Sequence, residues 1–172
     1  MLGAIGTHGP TVSPAVMLVL NASFFCFAIW LLVKPHRTEE KWLWPLTLLV
    51  AIAAVSRIAM GFIPNVMPVT ILAVMVGSKF GIQRGFAFAI LVTLASNSVL
   101  GHGWWSVFQI LGWGTVAALA SVVKVHDEEG RLLMTNLAFA SLWSVPVFSI
   151  LVSLSIIDSG MSAIEFGLYL VN

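Results

Sequence analysis

The chain has 172 residues, 59% of them hydrophobic and only 9% charged, with a net charge of +1 and a mean hydropathy of +1.02. A soluble domain carries about a quarter charged residues, so 8 basic and 7 acidic side chains cannot cover a water-exposed surface. The composition excludes an ordinary soluble globule, a disordered chain and a nucleic-acid binder, which needs a basic face. What it leaves is an integral membrane protein with the lipid bilayer as its main environment.

Crossing a bilayer takes about 20 apolar residues at about 1.5 Å of rise each. The first apolar run, residues 14–33, carries no charge and stops at Lys34, Pro35, His36 and Arg37. It lacks the basic segment that opens a cleavable signal peptide, so it reads as an uncleaved spanning helix. The second run covers 42–60, with Arg57 near its far end. A short third run, 65–77, opens after Pro64, and further runs cover 85–100, 104–123 and 132–157. A last segment, 162–171, is too short to cross unaided. Barrel strands alternate polar and apolar residues, whereas these runs are apolar on every face. The expectation is an all-α polytopic membrane bundle of six transmembrane helices plus a short C-terminal helix.

Charge placement orients such a bundle. Lys34, Arg37 and Lys41 follow the first run, Lys79 and Arg84 the third, and Lys124 and Arg131 bracket the loop after the fifth. These loops share one side, which the positive-inside rule makes cytoplasmic. The N-terminus is then outside, together with the linkers 61–64, 101–103 and 158–160. The outer linkers are rich in Gly, Pro, Asn, His and Trp, and the two faces are chemically different.

Arg57 is the exception among the cations. At mid-bilayer an arginine costs roughly 2.5–3.5 kcal/mol on insertion scales, so it either snorkels to the headgroups or faces a polar partner. Its own helix offers no carboxylate within a turn, which leaves Asn97 or Gln109 as partners and an anionic or carbonyl-bearing ligand as the functional alternative. Asn65, between Pro64 and Pro68, is placed to cap the following helix. Trp105, Gln109 and Trp113 recur every four residues and share a helix face. An amide between two indole rings suits a flat ligand bearing heteroatoms, although tryptophans also form interfacial belts. Gly77, Gly81 and Gly85 recur every four residues, as do Gly114 and Ala118, and read as turn glycines and sites of close packing.

Several chemistries have no residues to support them. The chain contains no phosphate-binding loop, no H-E-x-x-H and no G-x-S-x-G, and the expectation is a protein that is not an enzyme and carries no cofactor. The acidic residues lie in loops or near the C-terminus, which argues against ion-coupled carriage on membrane carboxylates. Cys26 alone can form no internal disulfide. His8, His36, His102 and His126 fall in separate regions, with His102 nearest the aromatic segment. The glycosylation sequon at Asn21 lies inside the first apolar run and should be inert.

The sequence Arg57, Pro64-Asn65-Val66-x-Pro68, Gly77, Phe80-Gly81, Gly85, Ser96-Asn97, Gly101-x-Gly103-Trp104, Gln109 and Trp113-Gly114 resembles the S components of energy-coupling factor (ECF) transporters. The resemblance covers roughly residues 51–123, in the branch with P-N-V-x-P and G-x-G-x-W…Q…W-G motifs. It implies a membrane subunit that captures a small-molecule vitamin outside a prokaryotic cytoplasmic membrane. It also implies partners, namely the ECF transmembrane coupling subunit and two cytoplasmic ATPase subunits. Residues 42–172 would form the S-component-like bundle, and 1–41 an extra N-terminal helix with its cytoplasmic linker. The implied substrate-binding residues are Arg57, Asn65, Asn97, His102, Trp105, Gln109 and Trp113. That branch points towards cobalamin, with riboflavin, pantothenate, folate and queuosine-type precursors left open. The rival expectation is a non-catalytic structural subunit of a larger membrane complex.

Overall fold

Lipid offers no hydrogen-bond partners, so an apolar chain must satisfy its backbone internally, and a helix does this within one segment. The computed structural model describes residues 12–33, 42–61, 68–127 and 129–157. It is all-helical, with α1 (Pro14–Val33), α2 (Leu43–Ala59), α3 (Pro68–Leu100), α4 (Trp105–Ala120) and α5 (Met134–Ile157). These ends fall within a few residues of the expected runs. Ser13 caps α1 by accepting the Val16 N–H at 3.4 Å, and Pro14 takes the first helical position, where its missing N–H is no loss. The expected C-terminal helix over 162–171 lies outside the described residues.

Three helices, Pro14–Val33, Pro68–Leu100 and Met134–Ser155, are long and apolar enough to cross a membrane, while Leu43–Ala59 and Trp105–Ala120 are shorter apolar helices. Large side chains such as Leu18, Val19, Trp44, Val55, Phe139 and Leu142 point outwards. Such a surface suits hydrocarbon and marks the chain as a membrane protein.

The 33-residue α3 is not one straight rod. Gly81 breaks it with φ 80° and ψ 176°, a region of backbone space essentially closed to residues with a Cβ. A Cβ added at Gly85 would lie 3.5 Å from the Cα of Gly77. In a continuous helix residues eight apart are separated by about 12 Å. The chain therefore reverses at Gly81, and α3 is a helical hairpin with arms 68–80 and 82–100. This is the turn expected between Lys79 and Arg84. Gly81→Ala should lower the unfolding midpoint of the detergent-solubilised protein by the equivalent of about 1–3 kcal/mol. An unchanged midpoint would show that the hairpin does not need this backbone geometry.

The hairpin is the centre of the bundle. Among the described residues α1 and α2 pack mainly on α3, with Arg57 of α2 reaching Trp113 of α4, while α4 packs on α3 and α5, and α5 also touches α3. Val69, Ala73, Val74, Val76 and Phe80 from the first arm join Phe88, Ala89 and Val92 from the second, with Leu46 of α2, Trp113 and Val116 of α4 and Phe148 of α5, in one core. The glycine spacing works across the hairpin rather than along one helix. Gly77 and Gly85 both face Ala117 of α4, whose carbonyl oxygen would stand 2.0 Å from a Cβ at Gly77 and whose own Cβ would stand 2.6 Å from one at Gly85. Gly112 and Gly114 instead admit the rings of Phe148 and Phe86.

The two ends of the bundle differ. At one end the Arg84 guanidinium lies 4.2 Å from the Trp42 ring centroid, and Ser78 Oγ is 3.3 Å from His126 Nδ1. This brings Trp42, the hairpin turn with Lys79 and Arg84, and the α4–α5 loop with Lys124 and Arg131 to the same end. That loop is ordered by Asp127, whose carboxylate accepts the Glu129 and Arg131 N–H groups at 3.0 and 2.8 Å. Lys34, Arg37 and Lys41 lie outside the described residues. Arg57 lies at the opposite end.

Candidate functional site

At that opposite end the last turns of α2, the end of the second arm of α3 and the start of α4 meet. Each helix contributes polar side chains where its apolar run ends. Arg57, in the last turn of α2, donates from Nη1 to Ser96 Oγ and to Asn97 Oδ1, the latter at 2.8 Å. Asn97 is 1% exposed and passes the connection on. Its Nδ2 donates to Ser106 Oγ at 2.8 Å and to Gln109 Oε1 at 3.1 Å, both on α4. Ser106 Oγ also accepts the Gly103 N–H at 3.3 Å. One hydrogen-bond chain thus runs from the α2 guanidinium to the backbone of the α3–α4 connection.

Trp113 provides the aromatic wall. Its indole is 3% exposed, and its Nε1 donates to Thr70 Oγ1 on the first arm of α3 at 3.3 Å. The Arg57 guanidinium carbon lies 5.0 Å from the Trp113 ring centroid, within cation–π range. Phe148 of α5 stacks on the same indole, with ring centroids 4.8 Å apart and an interplanar angle of 17°. Trp113 therefore ties α3, α4 and α5 together and turns an aromatic surface towards the cation.

Among the expected site residues, Arg57, Asn97, Gln109 and Trp113 are brought together. Arg57 engages a polar partner from another helix, as expected, and Asn97 is that partner, with Gln109 one bond further on. Trp105 meets the network at its far end. Its ring lies against the Gly103 backbone, where an added Cβ would meet it at 2.0 Å, although the spacing places it on one face with Gln109 and Trp113. The reason is its position as the first residue of α4. A helical side chain covers the turn N-terminal to its own Cα, and here that space holds the 101–103 connection. Asn65 lies outside the described residues. Ser96, which stands in the Ser96-Asn97 motif, and Ser106, which no sequence pattern singles out, complete the network.

His102 joins none of these hydrogen bonds. Its Nδ1 is buried without a partner, as is Nε1 of Trp104 two residues later. Both flank Gly103, whose N–H ends the chain from Arg57. Burial pushes the His102 imidazole below its ordinary value of 6.5. At the other end of the bundle burial does the same to His126, helped by Lys79 and opposed by Asp127. Both shifts favour the neutral ring in the folded state. Stability from this source is full above about pH 6.5 and falls with pH below it, because the unfolded chain takes up the protons more readily. Thermal melts should show a lower midpoint at about pH 5.5 than at pH 7.5. The double variant His102→Gln/His126→Gln should flatten that dependence, and an equally steep profile would assign it to other groups.

Arg57 has no carboxylate partner among the described residues, where the ion pair seen is Arg131 with Glu129 at 2.7 Å. No group of three or more metal-ligating side chains occurs among the described residues either. The site is a positive charge framed by neutral amides, hydroxyls and an indole, chemistry suited to holding an acceptor-rich molecule. Compared with known proteins, the chain matches no family model, no curated protein and no solved structure.

Proposed function

We propose that the protein is the vitamin-capture subunit, or S component, of an ECF-type importer. In this reading it binds a vitamin or precursor from outside and delivers it through a shared coupling subunit driven by two ATPases. The observation that carries the reading is the Arg57–Asn97–Gln109 network set against Trp113, a cation with neutral partners at the end of the bundle opposite the lysine- and arginine-rich loops. The order of motifs between residues 51 and 123 supports it independently. Each α3 arm counts as a crossing, which together with α1, α2, α4 and α5 makes six. The lysine- and arginine-rich end faces the cytoplasm by the positive-inside rule, and the N-terminus and the Arg57 end face outwards.

Thermal-shift screening of the purified protein in detergent tests this, with cobalamin first and then riboflavin, pantothenate and folate. A ligand that binds the folded state raises the midpoint increasingly as its concentration exceeds its Kd. Stabilisation by one vitamin, with formation of a stable complex on mixing with ECF coupling and ATPase subunits, is the expected result. No stabilisation and no co-purified small molecule would sink it.

One observation favours a second reading, a structural subunit of a larger membrane complex. Asn97 satisfies Arg57, Ser106 and Gln109 together, so the network locks three helices without any ligand. Under that reading Trp113→Ala and Gln109→Ala change assembly or stability and leave uptake of every vitamin untouched.

A further inference from the structure

The guanidinium of Arg57 is used from one side only. Nη1 makes both of its hydrogen bonds, to Ser96 and Asn97, and the indole of Trp113 lies within cation–π distance. Neither Nε nor Nη2 donates to any group among the described residues, and neither is among the buried polar atoms left without a partner. The Nε–Nη2 edge therefore has no protein partner among the described residues and is not fully enclosed. Two parallel N–H groups on one edge match the two oxygens of a carboxylate or phosphate.

The surroundings add to this. The Arg57 end holds two further buried polar atoms without partners, Nδ1 of His102 and Nε1 of Trp104, and an indole N–H can only donate. Gly103, between them, is linked to Arg57 through Ser106 and Asn97. Unsatisfied buried polar groups are rare in native proteins and call for a partner. A positive charge with an open fork, an indole donor without an acceptor, and no carboxylate partner among the described residues all ask for the same thing, an electron-rich oxygen group.

We propose that this end of the bundle is an oxyanion receptor, in which the Nε–Nη2 edge of Arg57 grips a carboxylate or phosphate of a small-molecule ligand and Trp104 Nε1 donates to a second acceptor on it. The proposal rests on the capture reading and narrows it to ligands carrying an anionic oxygen group. The Arg57 side is held before binding, and the buried Trp104 Nε1 must be uncovered as the ligand arrives. Asn97 and Ser96 fix one side of the guanidinium, and Trp113 fixes its plane, so little side-chain freedom is lost when the ligand arrives.

The test is calorimetric binding to the full chain in detergent with matched pairs that differ in the anion: nicotinate and nicotinamide, pantothenate and panthenol, biotin and biotinamide. At least one acid should bind, with its neutral partner weaker by roughly tenfold or more, since charge-assisted hydrogen bonds are about twice as strong as neutral ones. Arg57→Gln should remove that preference, and Arg57→Lys, which keeps the charge without the fork, should retain part of it. Trp104→Phe keeps an aromatic ring and removes the donor, and should weaken the acid by a few fold with the melting midpoint nearly unchanged. This variant decides the matter if Arg57→Gln fails to fold. Equal binding of an acid and its neutral partner overturns the oxyanion receptor and leaves vitamin capture standing. The oxyanion receptor also falls, and capture stands, if cobalamin or riboflavin binds and is indifferent to both the Arg57 and the Trp104 variants. Nanodiscs of phosphatidylglycerol and of phosphatidylcholine separate the source of the anion. Arg57-dependent stabilisation by phosphatidylglycerol alone, with no soluble acid bound, makes Arg57 a headgroup anchor and overturns the proposal. No binding by any soluble probe or vitamin overturns both readings together.

Discussion

Gly77→Ala is expected to lower the unfolding midpoint in detergent by about 10 °C, corresponding to roughly 3 kcal/mol or more for a chain of this size. The added methyl would sit 2.0 Å from the Ala117 carbonyl oxygen and 2.7 Å from its carbonyl carbon and Cα. All three are backbone atoms, so no side-chain rotamer can relieve the clash. Relief requires α4 to move away from the hairpin, which opens the core where Val116, Ala117 and Ala120 pack. Interiors transmit such shifts because they are close-packed. Gly85→Ala meets the Cβ of Ala117 rather than its backbone, and Ala117→Gly should restore part of its stability. The same second change should rescue Gly77→Ala far less. Equal rescue of the two variants would contradict the contact geometry. Gly61→Ala is the control, because its nearest neighbours stand at 3.3 Å or more on an exposed turn.

Asn97→Ala should cost about 3 kcal/mol, read as a loss of thermal midpoint and of monodispersity in detergent. The substitution removes the acceptor for Arg57 and the donor to Ser106 and Gln109 together. It also strands polar groups in a buried setting, where the full desolvation penalty of about 1–3 kcal/mol for each orphaned group applies. Asn97→Asp separates stability from binding. The new carboxylate keeps Arg57 engaged, now as an ion pair, while it can no longer donate to α4. If Arg57 is the oxyanion receptor, this variant folds and loses affinity for whichever of nicotinate, pantothenate or biotin binds, because the cation has an internal counter-charge. Undiminished binding in Asn97→Asp would dissociate Arg57 from the ligand.

The helix boundaries are legible in the sequence because each apolar run is cut off by charges, prolines or glycines, and lipid leaves helices as the simplest way to satisfy the backbone. The reversal at Gly81 is legible for the same reason, since Lys79 and Arg84 cannot lie in mid-bilayer together. Arg57 stands out as a cation away from the other seven, and the shortage of polar residues on its side reduces its partners to Asn97 and Gln109. What the sequence conceals is depth matching between helices. Ser96 and Ser106 contribute because α2, α3 and α4 end at one level, and no local pattern encodes that coincidence. Ala117 is the second concealed element. Alanine is common in apolar helices, and the visible small-residue spacing at Gly114 and Ala118 falls to either side of it.

The way Ala117 fits between the two arms also constrains assembly in time. Hairpin closure without α4 leaves a slot lined by Gly77 and Gly85, and α4 without the closed hairpin has no seat for its own small face. These three segments are expected to lock together. Helix α1 faces no such requirement, since it packs on α3, whereas α2 also reaches α4 through Arg57 and Trp113. A chain defective at Gly77 is therefore expected to insert its helices and stall as an unlocked set of threaded segments, a substrate for membrane quality control rather than for cytosolic aggregation.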